Sequence, residues 1–213
     1  MSPGFAGFGE AAVEFYDGLT ADNSKAYWTD HRATYEHDVR APMLALLAAC
    51  EPEFGPGKIF RPHRDVRFST DKTPYKTHCG ATVGGLYVQV GGDGLMAAGG
   101  HYRMAPDQVA RYRAAVDDER RGNDLAARLA ALTAAGLTVG GEQLRTRPRG
   151  VDPDHPRLGL LRHRALYGWR GWPPDDTLHE PGCLDRVVGT WRSLRPLTEW
   201  LDDHVGPSDQ PRR

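Results

Sequence analysis

Residues 64–78, RDVRFSTDKTPYKTH, set Arg64, Asp65, Arg67, Asp71, Lys72, Lys76 and His78 within one short stretch. A guanidinium grips an anion through two parallel hydrogen bonds, an ammonium supplies a point charge, and an imidazole donates or shuttles a proton near neutral pH. Asp65 has two possible uses in such a set: to orient Arg67, or to act as an acid/base group. Strand alternation places Asp65, Arg67 and Ser69 on one face, with Val66 and Phe68 on the other. The same rule puts Lys76 and His78 together on the next extended piece, across the turn TDKTP. These residues therefore have the parts of a polar site for an anionic group. The competing reading is an exposed strand face whose charges pair across strands and contribute little.

A second basic segment lies far along the chain. In DPDHPRLGLLRH, residues 152–163, Pro153 and Pro156 restrict the backbone around Asp154 and His155. The helix that follows turns Leu158 and Leu161 inward and leaves Arg157 or Arg162 free to reach a site. The candidate catalytic residues are Asp65, His78 and His155. The candidate ligand-binding residues are Arg61, Arg64, Arg67, Lys72, Tyr75, Lys76 and Arg162. A composite pocket requires His155 or Arg162 to stand beside residues 61–78, and a turn docked elsewhere through its leucines is the alternative.

Other chemistries lack their motifs. No GxxxxGK followed by Ser or Thr occurs, and the glycine pairs 84–85, 91–92 and 99–100 sit at strand ends without the helix that a dinucleotide fingerprint needs. No serine lies in GxSxG. Cys79 adjoins His78, but neighbours on a strand point to opposite faces. HExxH and paired CxxC are absent, and the acids of DPDHP and DDH (202–204) read as solvated loop residues, so no metal site or cofactor is assigned.

Bulk properties narrow the partners. Lys and Arg number 27 against 28 Asp and Glu, a net charge of −1. Residues 56–78 carry 6 basic and 2 acidic side chains and residues 140–171 carry 7 and 3, while residues 1–55 carry 3 and 9. Two separate basic segments between acidic ends fit a small anionic ligand better than long nucleic acid, whose binding is expected to be weak and non-specific. No apolar run is long enough for a membrane, and no secretory signal opens the chain. Cys50, Cys79 and Cys183 are widely spaced and odd in number, as reduced thiols in the cytoplasm are.

Helical and strand periods then place these residues. Phe8, Ala12, Phe15 and Leu19 predict a first helix. Asp22, Asn23 and Ser24 read as cap residues of a second, which carries Trp28, Tyr35, Val39, Leu46 and Cys50 and is kinked or split at Pro42. Extended segments follow through GLYVQV and LMAAGGHYRM, a hairpin around GGDG, with a bulge or close backbone approach at Gly99 and Gly100. Pro106 starts a helix, Asn123 caps another that stops at Gly136, and LTVGG and RALYGWRGW are strands. The last helix carries Leu184, Val188, Trp191, Leu194 and Leu201. Helices at both ends and strands between them predict α+β with a largely antiparallel sheet. The expected organisation is a single domain over residues 1–205 and a polar, disordered tail over 206–213.

FRPHRDVRFSTDKTPYKTH resembles the signature of a bacterial and fungal family catalogued as domain of unknown function 2461. NSKAYWTDHRATYEHDVRAP, GGHYRMAPDQVARYR and VDPDHPRLGLLRHRAL extend the resemblance over nearly the whole chain. The resemblance implies one structural unit over 1–205 and assigns no activity, cofactor or catalytic residue. Two readings stay open: a polar pocket for a small anionic or phosphorylated ligand, with or without turnover, and a non-catalytic module for nucleic acid or a protein partner. Concavity separates them, because a pocket on which Arg67 and His78 converge favours the first and a flat basic stripe with exposed aromatic rings favours the second.

Overall fold

The computed structural model describes residues 4–67 and 70–209. Six strands are hydrogen-bonded in the order β1-β2-β3-β4-β6-β5. They are β1 Lys58–Ile59, β2 His78–Val83, β3 Leu86–Gly91, β4 Gly94–His101, β5 Thr138–Gly140 and β6 Leu166–Trp172. Helices α1 Glu10–Ala21, α2 Lys25–Asp30, α3 Arg32–Thr34 and α4 Ala41–Phe54 precede the sheet. Helices α5 Pro106–Asp117 and α6 Glu119–Ala134 follow β4, α7 Leu158–Leu161 precedes β6, and α8 Cys183–His204 comes last. The fold is α+β with an antiparallel sheet in the middle of the chain, as the order of periods predicts. Its contacts group into two compact units, Met1–Ala97 with Gly171–Gly189 and Ala98–Arg170 with Thr190–Arg213.

In the first unit, α1 buries Ala12, Phe15, Tyr16 and Leu19, and Phe8 just before it is fully covered. Ser24 caps α2 by accepting the Tyr27 N–H at 3.1 Å. The predicted long helix breaks earlier than Pro42: the chain widens into a π turn at Tyr35–Arg40, and Pro42 then sits in the first turn of α4. A proline there removes an N–H that needs no intrahelical partner, so it starts a helix rather than kinking one. Met43, Leu46, Leu47 and Cys50 form the buried face of α4. In the pairing of β2 with β3, His78 stands opposite Gly91 and Ala81 opposite Val88. At the start of α8, Val187 is buried while Leu184 and Val188 are half-buried, a small rotation from the predicted stripe.

In the second unit, Pro106 opens α5, and Leu125, Leu129 and Leu132 are the buried stripe of α6. The cap of α6 is Asp118, not Asn123. Its carboxylate accepts the Arg121 N–H at 2.9 Å and suits the positive end of the helix. Asn123 instead accepts from Arg157 at 2.9 Å. Gly136 ends α6 at φ +79. Gly100 has φ +127, and a Cβ there would meet the backbone of Leu166 and Tyr167, the close approach that the paired glycines predict. The tail is tied down as far as Asp209 and is not free over those residues. Gln108 donates to the Gly206 carbonyl at 2.7 Å and Ser208 to the Asp107 carboxylate at 2.8 Å. Residues 210–213 lie outside the described residues.

Candidate functional site

The stretch at 64–67 is not a strand. Beyond β1, among the described residues, the chain makes a bridge of His63 with Tyr75, held by Arg64 N–H to the Pro74 carbonyl and Lys76 N–H to the Pro62 carbonyl, both at 2.8 Å. Pro62 and Pro74 have no N–H, so the ladder has no further rungs to add on those sides. Past it, aspartates capture their own backbone. Asp65 accepts the Arg67 N–H at 3.3 Å and Asp71 the Thr73 N–H at 2.9 Å. Such Asx turns compete with strand pairing. The face assigned to Phe68 and Ser69 falls outside the described residues.

This geometry closes the charges of the loop on one another. Arg67 forks onto Asp65, with Nε at 2.9 Å and a terminal nitrogen at 2.7 Å. Arg64 donates to Asp71 and to the Thr73 hydroxyl, and Lys72 Nζ donates to the Val66 carbonyl at 3.0 Å. The Arg67 hydrogen bonds hold the Asp65 carboxyl down to about 2. The Thr73 N–H and hydroxyl, with Arg64, hold Asp71 down to about 2. Asp65 is therefore a permanent carboxylate at neutral pH, without a proton to give.

Tyr75 is an anchor. Asn23 grips its backbone from both sides, donating to the Tyr75 carbonyl at 3.1 Å and accepting its N–H at 3.0 Å. The buried Tyr75 ring stacks on Trp28 with centroids 4.5 Å apart and planes 8° from parallel, and His63 lies 5.0 Å away. Asn23 reads as a cap residue in sequence; its partner, Tyr75, is far along the chain, so local spacing carries no sign of this clamp.

Where the π turn meets the end of β1 there is a cavity of about 460 Å³, lined by Tyr35, Arg40, Lys58, Ile59, Phe60 and Arg61. In an α-helix, positions five apart stand about 140° from each other at 100° per residue. The wider π turn closes its hydrogen bonds over five residues and brings Tyr35 and Arg40 to one side. The side chains of Lys58 and Arg61 have no hydrogen-bond or ion-pair partner among the described residues. Arg40 reaches Glu36 only at 3.4 Å, in an exposed pair. Lys76 Nζ sits 5.2 Å from the centroid of Phe60. Burial, and then Arg61, lower the Lys76 pKa.

His78, half-buried at the start of β2, has its pKa lowered by burial, then by Lys76 and Arg64, so its ring is neutral at pH 7. Cys79 accepts a hydrogen bond from the Tyr35 hydroxyl, and burial pushes its thiol up to about 11. A thiol so placed is a packed side chain rather than a nucleophile.

The predicted residues thus divide. Arg61 lines the cleft, and Lys76 covers the ring of a lining residue. Arg64, Arg67 and Lys72 are bonded within their own loop, and Tyr75 holds that loop to α2. His155 and Arg162 belong to the second unit and have partners there. His155 Nε2 lies 3.2 Å from Asp117 and its Nδ1 accepts the Arg157 N–H at 3.0 Å, while Arg162 donates to the carbonyls of Leu144 and Arg145. Tyr35, Arg40 and Lys58 were not among the candidates. Lys58 and Arg61 flanking the apolar pair Ile59–Phe60 are a visible signal; Arg40 depends on the π turn. Among the described residues, no three His, Cys, Asp or Glu side chains are grouped to hold a metal ion.

A family model described as a conserved hypothetical protein (DUF2461) matches residues 11–200. The chain belongs to the DUF2461 family. The matched span of this DUF2461 chain contains every residue of the cleft and of the clamped loop. No curated protein and no solved structure matches it.

Proposed function

We propose that this DUF2461 protein binds a small anionic ligand of the phosphate type in the cleft of its first unit. The observation that carries the reading is the pair Lys58 and Arg61, beside Arg40 in a cavity of about 460 Å³. These two cations make no hydrogen bond or ion pair among the described residues, although Arg61 feels the Asp65 carboxylate. Like charges gathered in a concave site repel one another, and an anion relieves that repulsion while accepting charge-assisted hydrogen bonds. Cavities of this size hold small molecules. The three cysteines are buried free thiols, which fits a reducing compartment such as the cytoplasm. Among the described residues, no helix is long and apolar enough to cross a membrane. The test is thermal unfolding with inorganic phosphate and pyrophosphate. A ligand that binds only the native state raises the midpoint. The shift should vanish in a Lys58→Ala/Arg61→Ala double variant, and a shift unchanged in that variant would sink the reading.

The alternative, a nucleic-acid-binding module, has one observation in its favour. In the second unit Tyr102 is 81% exposed, and Tyr102, Tyr167 and Trp169 follow one another with ring centroids 5.5 Å and 5.3 Å apart. Exposed rings are platforms on which bases stack. With a net charge of −1, binding to single-stranded DNA is expected to be weak at about 150 mM salt, and sub-micromolar binding would favour this second reading over the first.

A further inference from the structure

We infer that the anion enters the cleft as part of a molecule with a flat ring, a nucleoside monophosphate or a similar aromatic phosphate, and that Phe60 selects for the ring. The inference rests on the anion-binding reading above and goes beyond it in naming the ligand class.

Phe60 is 40% exposed, whereas Phe8 and Phe15 of the same unit are 0% and 2% exposed. Its exposure is not that of a loose side chain. The Phe60 N–H donates to the Gly80 carbonyl at 2.9 Å, which ties its backbone to β2, and its ring stands 6.3 Å from that of Tyr87. The Lys76 ammonium holds a position 5.2 Å from the ring centroid. A ring whose backbone is tied, which is partly open and part of the cavity wall, and which has Lys76 over it, has its remaining open surface for stacking.

The cavity composition points the same way. An inorganic phosphate satisfies the cations but leaves most of about 460 Å³ unfilled. The remaining wall is Ile59, Phe60 and the ring of Tyr35, whose hydroxyl already donates to Cys79. Such a wall offers an apolar surface and few hydrogen-bond groups, so a sugar alone finds little there, whereas an aromatic base finds a π-face. Lys58 and Arg61 flank Ile59 and Phe60 in sequence, so the charges that meet the phosphate and the ring that meets the base come from one short segment.

The experiment is calorimetric titration of the full chain with adenosine 5′-monophosphate, ribose 5-phosphate and inorganic phosphate. The expected result is that the adenosine compound binds about tenfold more tightly than ribose 5-phosphate, the scale of one base–aromatic stack. Phe60→Leu keeps apolar bulk without a ring, and it should erase that ratio while ribose 5-phosphate binds as before. Phe60→Trp should retain the ratio. Equal affinities for the two sugar phosphates in the native protein overturn the inference but leave the anion site standing, as does a ratio that survives in Phe60→Leu. If none of the three compounds binds, the anion-binding reading itself fails.

Discussion

In the loop from Arg64 to Lys76, each arginine closes on a carboxylate of the same loop, while Lys58 and Arg61, just before it, line a cavity and make no hydrogen bond or ion pair among the described residues. The two regions belong to one unit and have similar composition. They differ in whether the arginine side chains are bonded to carboxylates. Asp65 stands two residues before Arg67 and Asp71 lies across the turn from Arg64, so both arginines of that region are paired locally. No acidic residue lies between Glu53 and Asp65. Arg61 feels the Asp65 carboxylate four residues on, but that carboxylate is bonded to Arg67, and neither Lys58 nor Arg61 makes an ion pair among the described residues. Density of charge in a sequence therefore marks a segment that must be accounted for, and the pairing state decides whether it is scaffold or site.

The largest expected effect tests the scaffold half of that contrast. Tyr75→Ala removes a buried ring stacked on Trp28 and should destabilise the protein by about 3 kcal/mol in urea unfolding. Asn23→Ala leaves the Tyr75 N–H and carbonyl without their partners and should cost about 2 kcal/mol by the same measurement. A Tyr75 variant of unchanged stability that loses phosphate binding would break the contrast, because Tyr75 would then serve the ligand.

Next in size is the reciprocal test on the cleft. Arg61→Ala or Lys58→Ala should each weaken phosphate binding by about tenfold, the loss of one charge-assisted contact. Unfolding midpoints without ligand should hardly move, since neither side chain makes a hydrogen bond or ion pair among the described residues. A large loss of stability in either variant would place these residues with the scaffold.

Cys79, the buried partner of the Tyr35 hydroxyl, supplies a third test. Burial pushes Cys50, Cys79 and Cys183 each up to about 11. At pH 8 the folded protein should show no reaction with a thiol reagent over minutes, and all three should react after unfolding. Rapid labelling of Cys79 in the native state would mean that the cleft opens onto it.

The smallest effect is the acid behaviour of the loop. Asp65 and Asp71 are held down to about 2 from 3.8. A carboxylate with a depressed native pKa stabilises the fold above its unfolded value, and that contribution fades as the pH falls through the folded one. The loop should therefore stay closed at pH 5 and loosen between about 4 and 2. The Thr73 amide proton, which donates to Asp71, should titrate in NMR with a midpoint near 2. A midpoint near 3.8 would mean that the loop is not closed in solution.

The helices, the hairpin and the α+β class were legible in the sequence because periods of apolar residues and the glycine and proline signals are local. Phe15 and Leu19, Leu125 and Leu129, Pro106 and Gly136 sit where short-range spacing puts them. The charged stretch was legible as a segment rich in ionic groups; Arg61, just before it, lines the cleft, and Lys76 lies over the Phe60 ring. Its strand register was not legible, since two prolines and two Asx turns outcompeted the ladder that alternation alone predicts. Tertiary structure decided the rest: that Asn23 clamps Tyr75, that a π turn swings Arg40 beside Tyr35, and that His155 and Arg162 find partners in their own unit. Each depends on contacts between residues distant in the chain or on how the helix turns, and a period of apolar residues carries no information about either.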